Sequence, residues 1–61
     1  MEDGKILLTV PQAADRLGVG RSLLYEMIRR GEVQSIRIGR ARRIPVSALE
    51  CFVQERLEEE E

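Results

Sequence analysis

Residues 36–45 read IRIGRARRIP and carry the strongest structural signal in the chain. Apolar and basic residues alternate at Ile36, Arg37 and Ile38, which is the period-two pattern of a strand with two different faces. Residues 39–42 then supply a turn that begins with glycine, and the next two residues begin the return strand. The sequence therefore predicts a β-hairpin that buries both isoleucines against a core and projects arginines from its tip.

The hairpin is strongly basic, because four of its ten residues are arginines. Guanidinium groups projected from a narrow hairpin suit phosphate oxygens or a narrow minor groove. The alternative is a solvated, charged edge that only prevents strand aggregation. The four side chains in question are those of Arg37, Arg40, Arg42 and Arg43.

Length and composition restrict the function more than they restrict the fold. With 61 residues the chain is expected to be one domain, ordered over about residues 6–57, with an acidic tail at residues 58–61. It has no histidine and one cysteine, Cys51, which argues against a zinc site or a histidine-based catalytic pair. No enzyme activity, metal or cofactor is expected. The first ten residues are too weakly apolar for a signal peptide or membrane span, so a cytoplasmic, nucleoid-associated protein is expected.

The net charge of −1 conceals two oppositely charged segments. Residues 20–43 contain seven arginines and two glutamates, a net charge of +5. Residues 50–61 contain six glutamates and one arginine, a net charge of −5. The basic segment alone is the kind of electrostatic surface that nucleic-acid-binding domains present.

Two short helices are predicted before the hairpin, joined by the tight turn of residues 18–20. Thr9 should cap the first helix and Gln12, three residues later, should complete a capping box, while Gly18 should end it. The second helix should run from Arg21 to Arg30. Its apolar half is Leu23, Leu24, Met27 and Ile28, and its polar half is Arg21, Ser22, Tyr25, Glu26, Arg29 and Arg30. This arrangement predicts a helix-turn-helix, with an ordinary amphipathic helical hairpin as the alternative.

A third helix is predicted from residue 45 to about Leu57. An inward stripe is expected at Val46, Leu49, Phe52, Val53 and Leu57, with Cys51 on the opposite side. The glutamates that follow are expected to fray into solvent. The predicted fold is therefore α+β and mostly helical, a winged helix-turn-helix with three helices and a two-stranded β-hairpin wing.

The order of these parts resembles the excisionase-like family of small MerR-like winged helix-turn-helix DNA-binding domains. The likeness runs from Leu8 to about Val53 and rests on four separated motifs, which are TVPQAADRLGV, R-S-x-x-Y, RRGEV and RIGRARRIP. The resemblance implies that the second helix docks in a major groove while the wing follows an adjacent minor groove or the backbone. Three positions depart from the family pattern, namely Gly20 at the cap, Leu23 and Glu26.

The candidate DNA-binding residues lie on the second helix and the wing. Glu26 has two interpretations, because it could accept a hydrogen bond from a cytosine or pair with Arg30 four residues later. Tyr25 could equally contact a phosphate or cover the rim of the core. The full set is Arg21, Ser22, Tyr25, Glu26, Arg29, Arg37, Arg40, Arg42 and Arg43.

The leading hypothesis is sequence-specific binding to double-stranded DNA as an excisionase, a recombination directionality factor that bends DNA to help an integrase excise a mobile element. One small module contacts few base pairs, so copies are expected to associate on repeated sites. A small transcriptional regulator that binds promoter repeats is the second hypothesis. The third is a protein-interaction module whose basic face binds an acidic partner.

Overall fold

The structure is a computed structural model that describes residues 6–60, and it has the expected winged helix-turn-helix architecture. Within these residues there are three helices and a two-stranded wing, and one further short strand joins the wing in a three-stranded antiparallel sheet of order β1-β3-β2. In chain order the elements are β1 (Leu7–Leu8), α1 (Val10–Leu17), α2 (Arg21–Arg29), β2 (Ile36–Ile38), β3 (Ala41–Pro45) and α3 (Val46–Glu59).

Strand β1 attaches the wing to the helical body, a role that the sequence did not predict for this extended segment. Leu8 pairs with Ile44, and the side chains of both residues are buried. The amide of Val46 also donates a hydrogen bond to the carbonyl of Ile6 at 2.9 Å. Because β3 pairs with β1 on one side and with β2 on the other, the base of the wing has a fixed position relative to the core.

Local signals place the two helices of the helix-turn-helix as predicted. Thr9 and Gln12 form both hydrogen bonds of the capping box, at 3.0 and 3.2 Å. Gly18 ends α1 with a left-handed φ of 75°, which glycine adopts without the steric cost of a Cβ. Helix α2 begins after Gly20, which provides no side-chain cap, and ends one residue earlier than expected, with Arg30 as its C-cap.

A small core lies between the three helices and β3. From α2 it takes Leu24 and Met27, so the opposite side of that helix faces solvent. The core consists of Leu8, Val10, Ala13, Ala14, Leu24, Met27, Val33, Ile44 and Leu49.

Leu23 belongs to the predicted apolar half of α2, and the expectation that this half is buried is wrong for Leu23, which is 51% exposed. At 100° per residue, Leu24 and Met27 mark the centre of the buried side, and Leu23 lies at its margin. There it borders an open apolar groove, whose other lining residues include Leu17, Val19, Val53 and Leu57.

The inward stripe predicted for α3 was wrong in its second half. Leu49 is buried, whereas Val53 and Leu57 are 42% and 57% exposed. Both residues line the open apolar groove, opposite Leu17 and Leu23, so the second half of α3 lies across this groove from the other helices instead of packing directly on them.

Helix α3 continues two residues beyond its predicted end near Leu57, to Glu59. The backbone N–H of Glu60 still donates to the carbonyl of Arg56 at 3.1 Å. Glutamate is a good helix former, and no glycine or proline follows Leu57 to end the helix.

Arg56 ties this helix to the segment that follows α2. Its Nη2 donates a hydrogen bond to Oε1 of Glu32 at 3.1 Å, and its guanidinium carbon lies 5.1 Å from the centroid of the Phe52 ring. The contact joins residues 24 positions apart and lies on the side of α3 that borders the apolar groove.

Candidate nucleic-acid interface

The turn of the wing is shorter than the sequence suggested. Ile38 pairs with Ala41, so only Gly39 and Arg40 form the turn, and the return strand begins at Ala41 rather than Arg43. Gly39 has a φ of 62°, and Arg40 has no positive φ. A positive φ at the first central residue alone is the requirement of a type II′ hairpin turn, in which glycine is favoured.

The predicted burial of the wing isoleucines was wrong, because Ile36 and Ile38 are 42% and 55% exposed. The cause is the strand register. Ile44 of β3 points into the core, so its neighbour Arg43 points to the other face, and Ile36, which pairs with Arg43, points there too. We call this the outer face of the wing, and it consists of Ile36, Ile38, Ala41 and Arg43.

Arg37 and Arg42 pair across the hairpin on the inner face, the same face as Ile44. A hollow between this face and α2 is lined by Tyr25, Ile28, Arg29 and Arg42. The structure therefore brings together Tyr25 and Arg29 of the second helix with Arg42 of the wing, although they are up to 17 residues apart in sequence.

Ser35 orients Arg42. The Nη1 of Arg42 donates a hydrogen bond to Oγ of Ser35 at 2.7 Å, while the arginine side chain stays exposed. Sequence reasoning missed Ser35, since it lies just before β2 and outside the basic motif. The register of the hairpin could have identified it, because Ser35 is diagonal to Arg42 on the inner face.

Two wing arginines have side chains that are not engaged elsewhere in the described part of the chain. Arg40 lies exposed at the tip and Arg37 lies exposed on β2, and within residues 6–60 neither makes a side-chain hydrogen bond or ion pair. Arg43 differs, since it lies on the outer face and its Nη1 donates to the carbonyl of Arg42 at 2.9 Å. The four arginines are therefore divided between the two faces and the tip.

The first turn of α2 presents Arg21 and Ser22 to solvent. Because Gly20 has no side chain to accept from the first amides of the helix, these N–H groups remain available to an external acceptor. Tyr25 follows on the same exposed side and is 55% exposed. These three residues lie where the sequence predicted them.

Glu26 pairs with the arginines that follow it. Its Oε2 accepts a hydrogen bond from Nε of Arg30 at 3.0 Å, as one of the two sequence interpretations proposed, and its Oε1 accepts from Nη2 of Arg29. Nη1 of Arg30 also lies 3.9 Å from Oε2 of Glu32. The carboxylate of Glu26 thus offsets part of the positive charge of the last turn of α2.

Cys51 lies outside this surface and is exposed, as expected. Its Sγ donates to Oε2 of Glu55 at 3.7 Å. The negative charge of Glu55, with a smaller effect of desolvation, raises the pKa of the thiol above its ordinary value. A thiol in this environment is a poor nucleophile near neutral pH.

No helix within residues 6–60 is long and apolar enough to cross a membrane.

Comparison with known proteins agrees with this architecture. The family described as "Helix-turn-helix domain" matches residues 7–57. An "Excisionase" from Streptomyces ambofaciens is 49% identical over 53 residues, which cover 87% of this chain and 86% of that protein. A "Probable excisionase" from Saccharopolyspora erythraea is 48% identical over 48 residues, 79% of this chain, and the match spans only about half (49%) of that longer protein. No solved structure matches the chain.

Proposed function

We propose that this chain, which belongs to the excisionase-like family of small helix-turn-helix proteins, binds double-stranded DNA and acts as an excisionase. In this role it occupies repeated sites near the end of a mobile element and bends the DNA. The bent DNA allows an integrase to assemble in the form that excises the element. The chemistry of strand exchange belongs to the integrase, and we assign no reaction to this chain.

The observation that carries the proposal is the hollow between α2 and the inner face of the wing. Arg29 and Tyr25 on one side and Arg42 on the other are held by two elements anchored to the same core. A rigid pair of basic projections separated by a hollow suits a duplex, whose phosphate strands form raised edges on either side of a groove. A net charge of +5 over residues 20–43 supports the same conclusion.

The exposed side of α2 is proposed to enter a major groove, whose width of about 12 Å accepts one helix. Ser22 and Tyr25 would then approach base edges or the neighbouring phosphates. Arg21 and the free amides of the first turn would bind a phosphate, since the helix dipole favours an anion at that end. The wing would lie against the adjacent minor groove or backbone.

The candidate residues have different proposed roles on this surface. Arg37, Arg40 and Arg42 are assigned to phosphates, since their side chains are exposed and they lie on or beside the face that points towards α2. Arg43 would reach a phosphate on the other side of the wing. Glu26 is assigned to holding Arg29 and Arg30 rather than to reading a base.

Association of copies on DNA is part of the proposal. A single module of this size buries little surface on DNA, so its affinity for one site is modest. Adjacent repeats raise the effective concentration of the second copy, and contact between copies adds further occupancy. The site of action would be the nucleoid, where the mobile element and the integrase meet.

The test is a DNase protection experiment on the DNA that flanks the gene for this chain, repeated at several salt concentrations. Spaced protection over repeats beside an integrase attachment site is the expected result. Protection confined to a promoter would replace the excisionase role with transcriptional control. Absence of protection at every salt concentration would overturn DNA binding itself.

A further inference from the structure

The outer face of the wing carries an exposed apolar pair that the arginine contacts leave unexplained. Ile36 and Ile38 are 42% and 55% exposed, and β2, which carries them, is an edge strand of the sheet. An exposed β-branched pair on an edge strand promotes strand pairing between molecules, so proteins usually protect such an edge with charges or a covering element. Within residues 6–60 no element covers this face.

The surroundings of the pair restrict what can cover it. Arg43 lies on the same face, Arg40 at the tip, and Arg37 lies between the two isoleucines in sequence with its side chain on the other face. A covering surface must therefore be apolar where it meets the isoleucines and anionic around them. The wall of a DNA groove has this composition, because apolar deoxyribose edges lie beside the phosphates of each strand.

A second copy of this chain fits less well. Pairing of two β2 edges would bring the two wings together and place Arg37 of one copy close to Arg37 of the other, with the remaining wing arginines on the adjacent strands and at the tips. Like charges opposed across a strand pair are destabilising. The same charges that discourage self-pairing favour a polyanion.

We propose, resting on the proposed DNA binding, that Ile36 and Ile38 form an apolar contact with the deoxyribose wall of the groove that the wing enters. The hairpin would then bind the groove with both faces, phosphates being contacted from the inner face and the tip, and sugars from the outer face. Apolar side chains that enter a minor groove are also the groups that unstack base steps and bend the duplex. The pair therefore links the affinity of the wing to DNA bending.

The test replaces both isoleucines with threonine, I36T with I38T, which keeps the β-branched side chains that a strand favours while removing apolar contact area. Binding to a duplex is measured by fluorescence anisotropy across a salt series, and bending by energy transfer between dyes at the two ends of the duplex. The matched control is Ile6→Thr, because Ile6 is 77% exposed and lies before β1, outside the wing. Circular dichroism verifies that each variant is folded.

The double variant is expected to bind about five- to tenfold more weakly, since two half-exposed isoleucines lose part of their buried apolar area. Its salt slope should equal that of the parent because no charge changes, its bend angle should be smaller, and the control should behave as the parent.

Affinity within twofold of the parent would overturn the inference while leaving DNA binding intact. A parent that self-associates without DNA, while the double variant stays monomeric, would also overturn it. A parent that does not bind DNA would instead overturn the proposed function.

Discussion

Glu26 of α2 and Arg30, the C-cap of that helix, face each other one helical turn apart, with Nε of Arg30 3.0 Å from Oε2 of Glu26. The acidic residue precedes the basic one by four positions, which is the favourable order for such a pair on a helix. Glu26 also accepts from Arg29. The one carboxylate on the proposed DNA-binding side of α2 therefore forms ion pairs with neighbouring arginines. Its negative charge is not left unpaired opposite the DNA phosphates.

Replacing Glu26 with glutamine tests this assignment. The amide keeps the size of the side chain but frees Arg29 and Arg30 to interact with phosphates. We expect tighter binding to all duplex sequences and a salt slope steeper by about one to two units, at about 0.9 per added phosphate contact. Loss of the pairs should lower the free energy of unfolding by only a few tenths of a kcal/mol, roughly. A changed preference at a single base pair, without a steeper slope, would show instead that Glu26 reads a base.

Removal of two wing arginines tests the phosphate contacts. The double variant R40A with R42A should weaken binding to every duplex sequence to a similar degree and reduce the salt slope by about two units. The control is Arg56→Ala, which removes a positive charge on the side of α3 that borders the protein's apolar groove. This substitution should leave the salt slope unchanged. An unchanged slope in the double variant would remove the wing from the DNA-binding surface.

Ser35 should act through Arg42. Ser35→Ala removes the hydrogen-bond acceptor 2.7 Å from Nη1 of Arg42 but leaves the charge in place. We expect a loss of affinity of about two- to fivefold, smaller than that of Arg42→Ala, with the same salt slope as the parent. Ser47→Ala is the control, because Ser47 is an exposed serine in the first turn of α3. If Ser35→Ala binds as tightly as the parent, the hydrogen bond does not position Arg42 for DNA.

The sequence predicted local features well because each depends on residues close together in the chain. The capping box of Thr9 and Gln12 and the stop at Gly18 are of this kind, as is the spacing of Glu26 and Arg30. Residue types also identified which elements would carry the basic surface. Each of these features depends on interactions between residues that lie within four or five positions of one another in the chain.

Features that depend on distant parts of the chain could not be predicted in the same way. Helical periodicity assigns Val53 to the apolar side of α3, but only the packing of the three helices shows that an open groove separates this turn from Leu17 and Leu23. The faces of Ile36 and Arg42 depend on the hairpin register and on which residue of the hairpin meets the core. Ile44 meets the core, so Arg42 lies on its face and Ile36 lies on the opposite one. The hydrogen bond between Arg42 and Ser35 follows from the same register and was missed for that reason.

Gly20 offers a stability test that is independent of DNA. Its φ of −74° and ψ of 159° suit any residue, and within residues 6–60 no heavy atom beyond its two chain neighbours lies within 4 Å of the position a Cβ would take. Gly20→Ser should add an N-cap hydrogen bond to α2 and raise the free energy of unfolding in urea by roughly a few tenths of a kcal/mol. Gly18→Ser should instead lower it by about 1 kcal/mol, because Gly18 has a left-handed φ of 75°. Equal effects of the two substitutions would contradict the assigned backbone geometry.

Cys51 should react slowly with alkylating reagents near neutral pH. Glu55 raises the pKa of the thiol, so less thiolate is present at a given pH than in an unperturbed cysteine. Glu55→Gln removes the main cause, and the alkylation profile should shift to lower pH with faster reaction at about pH 8. Identical profiles for the parent and the variant would show that Glu55 does not control this thiol.

If α2 and the wing form one surface that binds duplex DNA through its phosphates, the affinity must fall as the salt concentration rises, because each contacted phosphate releases counterions. We would measure the affinity of the unmodified chain for a plain duplex between about 50 and 200 mM salt. If four or five arginines contact phosphates, the logarithm of the binding constant should fall with a slope of about −4 against the logarithm of the salt concentration. No binding at the lowest salt, or binding that does not depend on salt, would show that this surface does not bind DNA through phosphate contacts.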